Sequence, residues 1–188
     1  MDPYILPYPS SALQPHLDSA NVAAHLARIQ ALEQALASAP AGSDPTPMDL
    51  DVALASSQGQ RFAMTADYLA HRLFLDGLCP RGGEPAGRIG ERIQADFGSL
   101  AGLQDAFGQL AAQLPGEGWI WLVEQADGRL GATAHPGTGN PATGTSRPLL
   151  ACPLQGPNAA GEPPVAAPAW LTRFWKLVNW DNVERQLR

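Results

Sequence analysis

Two histidines and one aspartate, His25, His71 and Asp67, have the types and spacing to do metal chemistry in this chain. His25 falls in an apolar pattern with Val22, Ile29, Leu32 and Leu36, and His71 falls in another with Met64, Tyr68 and Leu75, both at helical spacing. Asp67 stands one turn before His71 on the same face, and two imidazoles with a carboxylate form a donor set suited to non-haem iron. The plainer reading is two core histidines hydrogen-bonded to each other, to Asp67 or to water, because two imidazoles alone seldom retain a divalent cation against water. His16, in a "QPH" segment, and His135, in a β-rich run, read as structural or surface residues. Cys152 begins as a possible nucleophile, but no basic residue beside it would stabilise a thiolate, so it reads as a buried strand residue. Cys79 and Cys152 lack C-x-x-C spacing and read as reduced thiols, with a disulfide between them left open.

The elements that must position these groups follow from the same patterns. Asp18 or Ser19 can cap a first helix, which ends at the turn-rich "APAGSDPTP". A second helical region runs from near Met48, irregular at "SSQGQ", to about Leu78. Residues 1–80 are thus expected to form an antiparallel helical hairpin with one imidazole from each helix aimed inward. After "CPRGGEP" two amphipathic helices are expected, over 85–96 (Ile89, Ile93) and 99–114 (Leu100, Leu103, Phe107, Leu110, Leu114). "GWIWLVEQADGRLGATAH" reads as two strands about an Asp127-Gly128 turn, "RPLLACPL" as a third, and a last helix starts after Pro168 and carries Leu171, Phe174, Trp175, Val178 and Val183. The fold class is α+β: a helical hairpin domain, 1–80, then an α/β domain, 81–188, with a small three-stranded antiparallel sheet. Trp119, Trp121, Trp175 and Trp180 read as packing residues.

Composition excludes several function classes. A net charge of -6 with a single lysine, Lys176, disfavours nucleic acid and anionic membranes, which need clustered cations. No apolar run approaches the ~20 residues of a membrane span. The opening "MDPYILPYPSSALQP" has no basic n-region and is broken by prolines, so it does not read as a secretory signal, and a cytoplasmic location is expected. The glycines of "GTGNPATGT" follow no phosphate-binding pattern and read as turn residues. Between residues 131 and 168 lie eight prolines and six glycines, more than a packed α/β segment usually tolerates, so something regular has been lost or replaced there.

The helical pair with inward histidines, followed by "GGEP", "GEGWIWLV", "ADGRL", "PLL" and "FWKLVNWDNV", resembles the iron/manganese superoxide dismutases. The resemblance covers essentially the whole chain. It implies a metal held by one His from each long helix, matched by His25 and His71, and by the Asp and His of a D-x-W-E-H motif after the third strand. From "PLL" to "FWKLVNW" the spacing matches without insertion, so that motif falls on Pro153-Leu154-Gln155-Gly156-Pro157. Pro153 and Pro157 replace the last two ligands, and a proline side chain has no lone pair to donate. The family's channel Tyr corresponds to Glu33, and its solvent-orienting Gln to Asp67 in the iron type or to a position near Thr138 in the manganese type. The residues that bridge its dimer correspond to Gly156, Ile29 and Ala160.

Two function classes follow. One is a superoxide dismutase-like protein without the family's metal site, acting by protein-protein interaction, with a genuine superoxide dismutase paralogue among its partners and a weakened or altered family-type dimer. On this reading the site keeps remnant positions His25, His71, Pro153 and Pro157, and no cofactor is expected. The alternative is an active enzyme with a rebuilt iron or manganese site on His25 and His71, with Asp67 as substitute ligand. A ribosome-associated role, known for degenerate members of the fold, fits poorly with an acidic chain. Residues 153–167 are expected to lack the helix that follows the motif in the family, since Pro157, Pro163, Pro164 and Pro168 each remove a backbone donor.

Overall fold

The computed structural model describes residues 4–38, 59–114, 116–154 and 166–188. Among them are six α-helices and one sheet: α1 (Ser19–Ser38), α2 (Gly59–Asp76), α3 (Gly87–Phe97), α4 (Leu100–Gln113), β1 (Gly118–Glu124), β2 (Leu130–Pro136), β3 (Arg147–Pro153), α5 (Ala167–Phe174) and α6 (Trp180–Arg185). The helical onset expected near Met48, and most of the proline-rich stretch expected to lack a helix, with Pro157, Gly156 and Ala160, lie outside the described residues.

Asp18 caps α1 by accepting from the Ala20 amide at 2.7 Å. Val22, Ile29, Leu32 and Leu36 are buried along the expected face, and on α2 Tyr68 and Leu75 are fully buried. Contacts pair His25 with His71 and Arg28 with Asp67, so residue numbers rise along α1 as they fall along α2 and the helices run in opposite directions. Gly77, just past α2, brings this helix close to the sheet: a Cβ there would stand 2.5 Å from Leu150 Cδ1 and 2.9 Å from the Leu73 carbonyl oxygen.

The sheet is antiparallel with order β2-β1-β3. Its central strand β1 is buried from Trp119 to Glu124, because α2 covers β3 while α4 reaches β2 and β1. Asp127 and Gly128 make the β1–β2 turn, with Gly128 at φ 83 and the Asp127 carboxylate accepting from the Arg129 amide at 3.0 Å. Ser99 caps α4 by accepting from the Gly102 amide at 3.0 Å.

The last helix differs from the sequence expectation: it is two helices. Pro168 sits inside the first turn of α5, where its missing N–H costs nothing, and the helix breaks after Phe174. The chain from 177 to 179 turns away to pair with 77–79: the Cys79 amide donates to the Leu177 carbonyl at 2.7 Å, the Asn179 amide donates to the Gly77 carbonyl at 2.8 Å, and Leu78 bridges Val178. Asn179 then caps α6 by accepting from the Asn182 amide at 3.1 Å. Both cysteines are free thiols, Cys152 wholly buried in β3.

Candidate functional site

Where α1, α2 and the start of β1 meet, an aromatic cluster surrounds the two histidines. The Phe74 ring lies 4.7 Å from His25, 6.1 Å from Trp119, 6.2 Å from Trp170 and 6.4 Å from Phe174. Trp119 stands edge-on to His71 at 5.1 Å. The cluster gives the imidazoles apolar walls and little water, so their polar atoms must find partners within the protein.

They find them. His25 Nδ1 and His71 Nδ1 are 2.7 Å apart in a direct hydrogen bond. His71 Nε2 lies 3.3 Å from Asp67 Oδ1. The other carboxylate oxygen, Oδ2, accepts from Arg28 Nε at 2.9 Å and from Arg28 Nη2 at 2.5 Å. The result is a chain running His25, His71, Asp67, Arg28, with each α1 residue opposite its α2 partner.

Electrostatics fix the protonation pattern. Burial drives the His25 pKa down from its ordinary value to about 3, the nearby His71 adds to this, and Asp67 opposes it. His25 is therefore neutral near pH 7. Burial alone would raise the Asp67 carboxyl, but its hydrogen bonds from His71 and Arg28 outweigh that and hold it below the usual value. Neutral His25 can donate to or accept from His71; in both cases His71 keeps one nitrogen toward His25 and one toward Asp67. Of the four ring nitrogens, His25 Nε2 is the one without a hydrogen-bond partner among the described residues.

The sequence expected His25, His71 and Asp67 to share one site, and the structure brings them together. It also adds Arg28, which the sequence reading passed over. The available signal was the spacing: Arg28 follows His25 by three residues and so lies on the same face as its partner. Pro153 ends β3 in register with Trp119, and its carbonyl accepts from Trp170 Nε1 at 3.0 Å. Pro157 lies outside the described residues.

Glu33, at the position corresponding to the family's channel Tyr, is tied down by Tyr68 Oη at 3.2 Å and by the Tyr4 amide at 3.2 Å. Arg72 Nη1 donates to Tyr68 Oη at 3.0 Å, and Tyr4 Oη donates to Asp76 at 2.8 Å. Ile29 is wholly buried within the single chain and presents no surface for a dimer contact. Thr138 is exposed, His16 and His135 are partly buried, and burial lowers the His135 pKa. Burial raises the Cys152 thiol well above its ordinary value, which keeps it protonated and unreactive.

Among the described residues, no group of three or more His, Cys, Asp and Glu side chains is placed to hold a metal ion. A lone pair engaged in a hydrogen bond cannot also bind a metal. With three of the four ring nitrogens engaged and Asp67 held by Arg28, the histidine pair offers His25 Nε2 as its one free donor among the described residues, and a single imidazole nitrogen fits an iron or manganese ion poorly in this arrangement.

Residues 85–186 match the family model for iron/manganese superoxide dismutases, C-terminal domain. The chain is 33% identical over 184 residues to superoxide dismutase [Fe] of Escherichia coli strain K12, a match covering 97% of this chain and 95% of that protein. It is 30% identical over 189 residues to superoxide dismutase [Fe] of Legionella pneumophila, covering 97% and 96%, and 31% identical over 178 residues to that of Bordetella pertussis, covering 94% and 93%. These matches correct one expectation. The sequence reading expected no cofactor; a family named for iron and manganese, with relatives named as iron enzymes, makes one of those metals the group to be reckoned with at this site. The misreading came from weighing the replaced residues, Pro153 and Pro157 first among them, above the family relationship of the whole chain. Among the described residues, no helix is long and apolar enough to cross a membrane.

Proposed function

The chain belongs to the iron/manganese superoxide dismutase family, and from that premise we propose that it is a pseudoenzyme: it keeps the scaffold, does not dismutate superoxide, and acts by binding another protein. One observation carries this reading. The two imidazoles at the ligand positions hydrogen-bond to each other at 2.7 Å, and the third ligand position is Pro153. Dismutation needs a redox metal held by a full donor set, with a bound solvent kept at a suitable potential by its neighbours. This chain lacks the family's solvent-orienting Gln, and Asp67 at that position is committed to Arg28 and His71.

The partner is a protein, and a catalytically complete superoxide dismutase of the same cytoplasm is the first to test, because a shared scaffold supplies a matching two-fold surface. The family-type homodimer is weakened, since Gly156 and Ala160 cannot supply its charged bridges and Ile29 is buried in the core.

The decisive measurement is superoxide consumption after reconstitution with iron or manganese, with metal content determined on the same sample. The reading expects no turnover above that of the free metal. Stoichiometric metal with turnover abolished by His25→Ala would overturn it. Native mass spectrometry of a mixture with the paralogue tests the partner, and the absence of a mixed oligomer at micromolar concentrations would remove it.

A further inference from the structure

Arg28 and Asp67 present the one feature of the site that neither the family resemblance nor the ligand count accounts for. Arg28 lies on α1 one turn beyond His25, and its side chain is 54% exposed, while that of Asp67 is 9% exposed. The guanidinium therefore reaches inward from the surface and closes over a carboxylate that solvent barely touches. Both of its contacts, at 2.9 and 2.5 Å, fall on the single oxygen Oδ2. The opposite oxygen faces His71, which in turn holds His25.

Without the guanidinium, these residues would present two imidazoles and an anionic carboxylate on facing helices. That is the donor composition that non-haem iron and manganese sites use. With it, the carboxylate charge is already balanced. A divalent ion recruiting Asp67 would then have to displace a charge-assisted hydrogen bond or lie beside a second positive charge.

The geometry points to Arg28 as a resident cation that competes with a divalent metal for Asp67, and so sets how weakly this site holds iron or manganese. The inference rests on the reading given above and deepens it by naming the residue that governs the remaining affinity. Arg28 acts through Asp67 and touches no reacting group, so its role is positioning.

The test is metal affinity, read with Mn²⁺ and Co²⁺ by competition against a chelating dye. The wild-type chain is compared with Arg28→Met, which keeps length and removes charge, and with Arg28→Met combined with Asp67→Asn. Partners of this kind usually change affinity by roughly 10- to 100-fold, so Arg28→Met is expected to bind tighter by about that factor. The gain is expected to vanish in the double variant, and Co²⁺ bound to Arg28→Met is expected to show a visible absorption band sensitive to His71→Ala. Equal affinity of wild type and Arg28→Met, or a gain that survives Asp67→Asn, overturns the inference. Near-ultraviolet circular dichroism checks each fold, and Arg28→Gln takes the place of a variant that misfolds, with the same two outcomes. Superoxide turnover by the wild type decides the pseudoenzyme reading separately, so the failure of one is not mistaken for the failure of the other.

Discussion

His25 Nδ1 and His71 Nδ1 meet at 2.7 Å across the seam between the two long helices, beside two other links across the same seam, Arg28 to Asp67 and Tyr68 to Glu33. A bond between two ring nitrogens needs one bearing a proton and one bare. Two protonated imidazoles at this distance would face each other with two N–H groups and two positive charges.

Stability should therefore fall on acidification in a window set by His25. Its folded pKa is pushed down to about 3, by burial first and then by His71, against an ordinary value of 6.5. Between those values the unfolded chain binds a proton that the folded chain refuses, so stability rises with pH. The contribution is complete above about pH 6.5 and is lost toward pH 3, at up to about 1.4 kcal/mol per pH unit. Asp67, held below its usual value, adds a loss at the acid end of the window. Urea unfolding at about pH 7 and about pH 5 measures the slope, and His25→Gln should flatten it. A stability that does not change across that interval would contradict the buried neutral imidazole.

Phe74 is fully buried and touches His25, Trp119, Trp170 and Phe174, so Phe74→Ala opens a cavity directly behind the histidine pair. A loss of about 3–5 kcal/mol is expected, with the His25 ring resonances shifted in NMR spectra. A loss below about 1 kcal/mol would mean that the cluster is not packed as described.

Much of this was legible in the sequence, and the illegible parts share a cause. The buried stripe of α1, with its period of 3.6, and the Asp127-Gly128 turn are local patterns that a single segment displays. Even the pairing of His25 with His71 could be inferred, because both histidines interrupt apolar faces that had to meet. Arg28 was different: on α1 it resembles any solvated charge, and its role exists only because Asp67 lies opposite on α2. The break after Phe174 likewise depends on residues almost a hundred positions away, since Leu78 and Val178 form a bridge that no local pattern encodes. The metal was misjudged for another reason: substitutions at two positions say which donors are gone, while family membership says which metal the rest of the fold was built around.

Ile29 gives a test that separates core from interface. It is wholly buried within one chain, so Ile29→Ala should cost about 2–5 kcal/mol as a cavity mutation. That cost should be the same at low and high protein concentration, because a core residue acts within the monomer. A melting temperature that falls more steeply on dilution in the variant would place Ile29 at a subunit contact instead.

The residue-by-residue correspondence with the family's motif can be tested by restoring it. Pro153 lies at the end of β3, in register with Trp119, whose ring stands 5.1 Å from that of His71. If Pro153 and Pro157 occupy the places of the missing Asp and His, Pro153→Asp with Pro157→His supplies both lost donor types to the side of the site that the helices do not provide. A strand position tolerates aspartate poorly by propensity, and an unpaired carboxylate beside the aromatic cluster costs stability. The double variant without metal should therefore melt below the wild type. Added Mn²⁺ should reverse that loss, because a ligand that binds only the folded state stabilises it in proportion to its affinity. Metal affinity should rise at least about tenfold over the wild type, and removing His25 or His71 should cancel the rise. A double variant that folds, yet binds Mn²⁺ no more tightly than the wild type, would show that these two positions do not converge on the histidine pair.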